Sequence, residues 1–168
     1  MKVAAIHSLL VTFKNTPFKE WANQTAMTAY RDLNDFENMI IYGEETLTIN
    51  PENVDALTTL AYAIPTQIRE FDVDKREKLT QAKDYAHRAL RTIPTLEKPQ
   101  GVRLSDEEWL NDKKDMMASA HDALGLVAFM YKDFVAAERA FEKSIEVAHT
   151  PDATTFYHYA RTLRENPV

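Results

Sequence analysis

Between residues 118 and 151 the chain reads "ASAHDALGLVAFMYKDFVAAERAFEKSIEVAHTP", with apolar positions recurring every three or four residues on either side of a polar break at Lys132-Asp133. That period predicts two helices. Leu124 and Ala128 share one face of the first, while Ala137, Phe141 and Ser144 face back from the second. Gly125 and Ala137 let the two backbones approach, and Phe141 is expected to fill the wedge where the pair opens. Asp133 is placed to cap the second helix, with Phe134 entering the core.

An earlier stretch, "NDFENMIIYGEETLTINPEN" at residues 34–53, repeats the pattern, with Asp35-Phe36 lying 98 residues before Asp133-Phe134. The same register runs without a gap over 20–53, placing Tyr30, Phe36, Met39 and Pro51 on equivalent positions. Met27 stands where the later unit has Gly125, and Gly43 where it has Phe141, as though bulk had moved from one helix to the other. A second unit, 54–96, carries Leu57, Leu60-Ala61 and Ile64 on its first helix and Ala82, Ala86, Ala89 and Pro94 on its second. It is enlarged by an insertion around Pro65 to Lys75. Pro65 is expected to stop or kink the first helix near Ile64, and Asp74 with Glu77 to restart the second as a capping pair. Residues 97–117 form a linker and a helix extension, in which Ser105 and Glu108 make an S-x-x-E capping box. The helix beginning there runs on through Tyr131, about three turns longer than an ordinary first helix. Residues 3–14 read as the second helix of an earlier unit. Residues 153–164 read as a half unit with Phe156, Tyr159-Ala160 and Leu163 on its inner places and its second helix absent.

Leu124-Gly125, Ala137, Phe141 and the closing Pro151 resemble the tetratricopeptide repeat, W-x-x-L-G-x-x-Y then A-x-x-x-F then P. His121 stands at the Trp place, Ala128 at the Tyr place, and Pro151 falls two places late. The resemblance covers most of residues 16–164. It implies an all-α fold in one domain over 1–168, a right-handed superhelix of about seven antiparallel helices. It also implies a concave face lined by the first helix of each pair. By register that face receives Gln24, Thr28 and Arg31; then Asp55, Thr58 and Tyr62; then Asp122, Leu126 and Phe129; and finally Tyr157 and Arg161. The implied function is a non-catalytic scaffold that binds a protein or peptide in this groove, with no cofactor. The alternative is a structural module that self-associates through uncapped ends as a homo-oligomer, or a fragment of a larger solenoid. Co-chaperone domains of this family hold a C-terminal carboxylate with Lys, Asn and Arg; Gln24, Thr28, Thr59 and Asp122 occupy those places here, so chaperone C-termini are not the expected ligand. The run from Asn15 to Asn53 also resembles bacterial repeat proteins with a small-residue-Pro-aromatic linker, some of which work in the cell envelope. Cytoplasm is the default compartment, and the periplasm or envelope the alternative if a signal peptide has been removed.

Composition narrows the picture further. Hydrophobic residues make up 45% and charged residues 27%, enough to bury a core, and three glycines suit long helices better than a turn-rich barrel or sandwich. A net charge of -6 without a basic cluster speaks against nucleic acid, and the absence of cysteine excludes thiol chemistry and disulfides. "MKVAAIHSLLVTF" reads as an amphipathic helix rather than a signal peptide, and no apolar run is long enough to span a membrane. His7, His87, His121, His149 and His158 match no metal-ligand spacing, and His121 reads as a packing substitute for Trp. The carboxylate pairs Glu44-Glu45 and Glu107-Glu108 diverge around a helix, which suits solvated surface rather than acid-base catalysis. No phosphate loop, nucleophile elbow or dinucleotide fingerprint occurs, so an enzyme is not expected. The two insertions, Pro65 to Lys75 and Glu97 to Met117, are the expected places for contacts particular to this chain.

Overall fold

The computed structural model of the protein describes Ile6, Ser8, Thr12 and residues 16–166. Over that range the chain is helical, with no strand among the described residues. Its elements are α1 (Lys19–Asp32), α2 (Phe36–Ile49), α3 (Val54–Gln67), α4 (Lys75–Thr92) with a short 3-10 turn (Ile93–Thr95), α5 (Asp106–Met130), α6 (Phe134–Val147) and α7 (Ala153–Glu165). The helix expected over 3–14 falls largely outside the described residues. Ile6, Ser8 and Thr12 are helical, and Ile6 is buried against Ala22 and Ala26 of α1.

The two Asp-Phe turns are built alike. After α1, Asn34 adopts φ 57°, and after α5, Lys132 adopts φ 63°. These left-handed residues reverse the chain so that the last carbonyls of each helix are satisfied. Asn34 N–H donates to the Arg31 carbonyl and Asp35 N–H to that of Tyr30, both at 2.9 Å. Lys132 N–H donates to the Phe129 carbonyl at 2.9 Å and Asp133 N–H to that of Ala128 at 3.0 Å. Each aspartate then caps the next helix. Asp35 accepts from Asn38 N–H at 3.2 Å and Asp133 from Ala136 N–H at 3.1 Å. Phe134 departs from expectation: it is half-buried, edge-on to Phe129 at 5.5 Å, and not in the core, because the three-residue turn leaves it beside the helix it has just left.

The capping box forms as its spacing predicts, with Ser105 Oγ accepting from Glu108 N–H at 3.1 Å and Glu108 accepting from Ser105 N–H at 2.6 Å. It starts a helix of 25 residues, against 14 in α1, α2, α3 and α6. Two expectations around the first insertion are corrected. Helix α3 does not stop at Ile64 but carries Pro65 inside it and ends at Gln67. So near the C-terminus a proline removes one N–H from a ladder about to end, and its buried ring adds to the packing. Asp74 occupies the cap position of α4 without capping it. Its carboxylate instead pairs with Lys78 at 2.9 Å, one turn further on, which holds it below the usual carboxylate range. The insertion is absorbed by the connector at 68–74 and by α4, which runs to 18 residues.

Packing is local along the chain. Pairs α1/α2, α3/α4 and α5/α6 lie against each other, α2 packs on α3, both α3 and α4 on α5, and α6 on α7; each substantial contact joins a helix to one of the next two. The main core is filled by Met27, Met39, Leu57, Leu60, Leu79 and Ile93. Tyr30 and Tyr42, stacked at 5.4 Å, bridge it to the small cluster around Ile6. As expected from the pattern, α6 buries Ala137, Phe141 and Ser144. On α5 a close approach is made at Gly125, where an added Cβ would stand within 2.7 Å of three ring atoms of the fully buried Phe141. At Gly43 the arrangement differs from the expected exchange of bulk with Met27. The space there is taken by Leu60 of the following pair, whose side-chain atoms would lie 2.8 to 3.1 Å from a Cβ. Helix α7 also corrects expectation. It buries Thr155 and Thr162, while Phe156 and Leu163 are 49% and 44% exposed, because α7 meets α6 with the threonine face. Among the described residues no helix is long and apolar enough to cross a membrane.

The Gly125–Phe141 contact yields a direct test. Gly125→Ala gains about 1 kcal/mol of helix propensity but overpacks a closed site, which costs about 1–3 kcal/mol. We expect a net loss of up to about 2 kcal/mol in urea unfolding, relieved in the double variant Gly125→Ala with Phe141→Leu.

Candidate functional site

A groove of about 560 Å³ opens between the helix pairs. Arg31, Phe36 and Met39 bound one end, Thr58, Thr59, Tyr62 and Thr66 of α3 run along its floor, and Asp115, Ser119 and Asp122 of α5 form a wall. The far side is closed by Ser144 and Ile145 of α6, the turn at 148–152, and Thr154 and Thr155 of α7.

Three hydrogen-bonded anchors hold that far side. Ser144 Oγ, buried, donates to the Ala118 carbonyl at 2.8 Å and ties α6 to α5. Asp115 Oδ1 accepts from the backbone N–H groups of His149 and Thr150 at 2.7 and 3.0 Å, pinning the turn between α6 and α7. Asp152 then caps α7 by accepting from Thr154 N–H at 2.6 Å, and its bonds to Thr154 hold its carboxyl below the usual range. Asp115 belongs to the extension of α5. An α5 of ordinary length would begin after it, leaving the turn without its partner.

In the wall of the groove, Asp122 meets His158 of α7, which lies outside the cavity lining. Asp122 is 4% exposed, and its Oδ1 stands 3.8 Å from His158 Nδ1, beyond hydrogen-bond reach, so that both atoms are buried without a partner among the described residues. Rings surround the histidine: Phe141 and Tyr157 at 5.8 Å and Tyr62 at 6.5 Å between centroids. The Tyr62 phenol is pushed above its ordinary range, first by burial and then by the carboxylates of Asp122 and Asp152.

Four of the residues placed on the concave face by register, Arg31, Thr58, Tyr62 and Asp122, meet around this one cavity. The others lie elsewhere. Gln24 donates to Asp55, and Asn53 reaches Glu20 at 2.9 Å beside them, forming a polar clasp between the first two helix pairs. Thr28 turns its hydroxyl back to the Gln24 carbonyl at 3.1 Å. Phe129 is covered by the Arg161 guanidinium, 4.6 Å from its centroid, which makes these two a stacked pair and not open lining. Tyr157 lies beside His158 and is 64% exposed, and Leu126 is half-buried outside the cavity wall. Beside the first helices, α6 and the following turn supply part of the cavity wall. Three residues fall outside the register positions: Asp115, which lines the cavity from the extension of α5, Asp152, which lines it from the turn, and His158 of α7, which stands beside Asp122 without lining the cavity. The spacing of Thr155, His158 and Thr162, three and seven apart, is the available signal that this stripe of α7 faces inward.

His121 and His87 lie apart from the cavity wall, and His7 falls outside the described residues. Both His121 and His87 are shifted below the ordinary imidazole range, by burial and then by nearby cations, Lys143 for the first and Lys83 for the second. Among the described residues no group of three or more His, Cys, Asp or Glu side chains is placed to hold a metal ion. In comparison with known proteins, the chain matches no protein-family model and no curated sequence.

Asp115 is the anchor whose removal is easiest to read. Asp115→Ala should lower stability by about 1.5–3 kcal/mol, the range for hydrogen bonds to a charged group, and should speed amide exchange at His149 and Thr150. Asp115→Asn keeps an acceptor oxygen and should show a smaller loss on both measures.

Proposed function

We propose that this chain is a tetratricopeptide-type helical-repeat scaffold without catalytic role, whose groove binds an extended or helical segment of a protein partner. The observation that carries the reading is the convergence of Arg31, Thr58, Tyr62 and Asp122, drawn from three successive helix pairs, on one open cavity. A volume of about 560 Å³ is within the range of ligand sites, and a wall of threonines, small residues and one tyrosine offers hydrogen bonds and stacking to a peptide. Helices that contact only their near neighbours along the chain, with turns repeated 98 residues apart, support the repeat reading. Selection from a displayed peptide library tests it. Binders to the wild-type protein should lose about tenfold or more in affinity against Tyr62→Ala, with helical circular dichroism retained. Binders indifferent to Tyr62→Ala would place the recognition surface elsewhere.

A second reading has one specific observation in its favour: Phe156 and Leu163 lie seven apart on α7, and both are about half exposed. In that reading α7 stacks on another copy of the chain. Light scattering across a concentration series should then show mass rising with concentration, reversed by Leu163→Glu. A constant monomer mass would remove it.

A further inference from the structure

The groove has an unmet electrostatic demand, and it lies at Asp122. Burying an ionised carboxylate is costly unless hydrogen-bond donors or a cation replace the water it gives up. Three carboxylates line the cavity, those of Asp115, Asp122 and Asp152. Asp115 is already engaged by the His149 and Thr150 N–H groups, and Asp152 by that of Thr154. Asp122 alone of the three is deeply buried with an oxygen that accepts no hydrogen bond among the described residues. The one cation lining the cavity among those residues is Arg31, whose side chain is about half exposed and already near Asp32 at 3.8 Å. Aromatic rings stand close to the carboxylate, with Tyr62 lining the cavity and the His158 ring beside it. A carboxylate and a tyrosine ring in one cavity wall are chemically matched to a guanidinium, which donates to the one and stacks on the other. The chain uses guanidinium stacking nearby, where Arg161 lies over Phe129.

We propose that the groove recognises a basic side chain of its peptide ligand, an arginine in preference to a lysine, whose cation enters the cavity and pairs with the buried carboxylate of Asp122 beside the Tyr62 ring. This rests on the peptide-groove reading above and adds the chemical class of the segment bound. It excludes segments rich in glutamate or aspartate, which would bring like charge to three carboxylates.

Two probes separate this inference from the reading beneath it. N-acetyl-arginine amide and N-acetyl-norleucine amide are titrated into the wild-type protein, watching the side-chain NMR resonances of Tyr62 and His158. The arginine compound should give saturable shifts and the norleucine compound none. The Asp122→Asn variant, checked for retained helicity, should weaken the arginine response by about tenfold or more, the scale of a charge-assisted hydrogen bond. Equal responses to the two amides in the wild-type protein, a comparison that depends on no variant, would overturn the proposal. So would an arginine response unchanged in Asp122→Asn, which would leave Asp122 as an internal partner of His158. In the second arm, displayed peptides selected on the groove should be enriched in arginine. Groove-dependent peptides with no such enrichment and no sensitivity to Asp122→Asn would overturn the basic-residue inference while leaving the peptide groove in place. An arginine amide that binds through Asp122 while no peptide does would support the cation site and remove the peptide reading.

Discussion

The missing Cβ of Gly125 is the constraint on which the rest of the second half depends. Because nothing projects from α5 at that point, the ring of Phe141 lies directly on the helix backbone and is wholly buried. That contact draws α6 close enough for Ser144 to reach the Ala118 carbonyl, which sets where α6 ends and where the turn at 148–152 begins. The turn is then within reach of Asp115, and α7 starts where Asp152 can cap it. The far wall of the groove is therefore the end of a chain of contacts that begins with an absence.

Much of this is legible in the residues. The turn chemistry is clearest: an aspartate before a phenylalanine after a left-handed residue marks both helix reversals, and Ser105 with Glu108 marks the start of α5. Local hydrogen bonding decides such features, and local sequence carries it. The errors have a common physical origin too. Of the two outcomes expected at Pro65, a stop or a kink, the stop fails because a proline's full cost is that of a helix interior, whereas Pro65 lies where the ladder is ending. Asp74 reads as a cap because it stands at the right place, but its carboxylate turns to Lys78 one turn on instead of to the backbone.

The groove is only half legible, for a different reason. Positions on α1, α3 and α5 follow from a helical register, so Arg31, Thr58, Tyr62 and Asp122 are within reach of the pattern. Which other elements close the cavity depends on the angle between α5 and α6 and on how far α6 runs, and periodicity does not carry that information. Hence register assigns Gln24, Thr28 and Asp55 to the groove although they are engaged in bonds within or between the first two helix pairs, and it passes over His158. What register does not carry is the burial of Asp122, on which the proposed preference for a basic ligand rests, since a buried carboxylate in a cavity wall would select by charge in a way that threonines and aromatics do not.

Because each helix touches only its near neighbours along the chain, loss of structure need not be all-or-none. Helix α7 rests chiefly on α6 and carries Thr155 and His158, so a fluctuation that lifts it opens one side of the cavity while the core around Leu60 and Leu79 stays intact. Occupancy of the cavity and docking of α7 are then thermodynamically linked: whatever binds against Thr155 holds the last helix in place, and whatever holds the last helix raises affinity by the same factor.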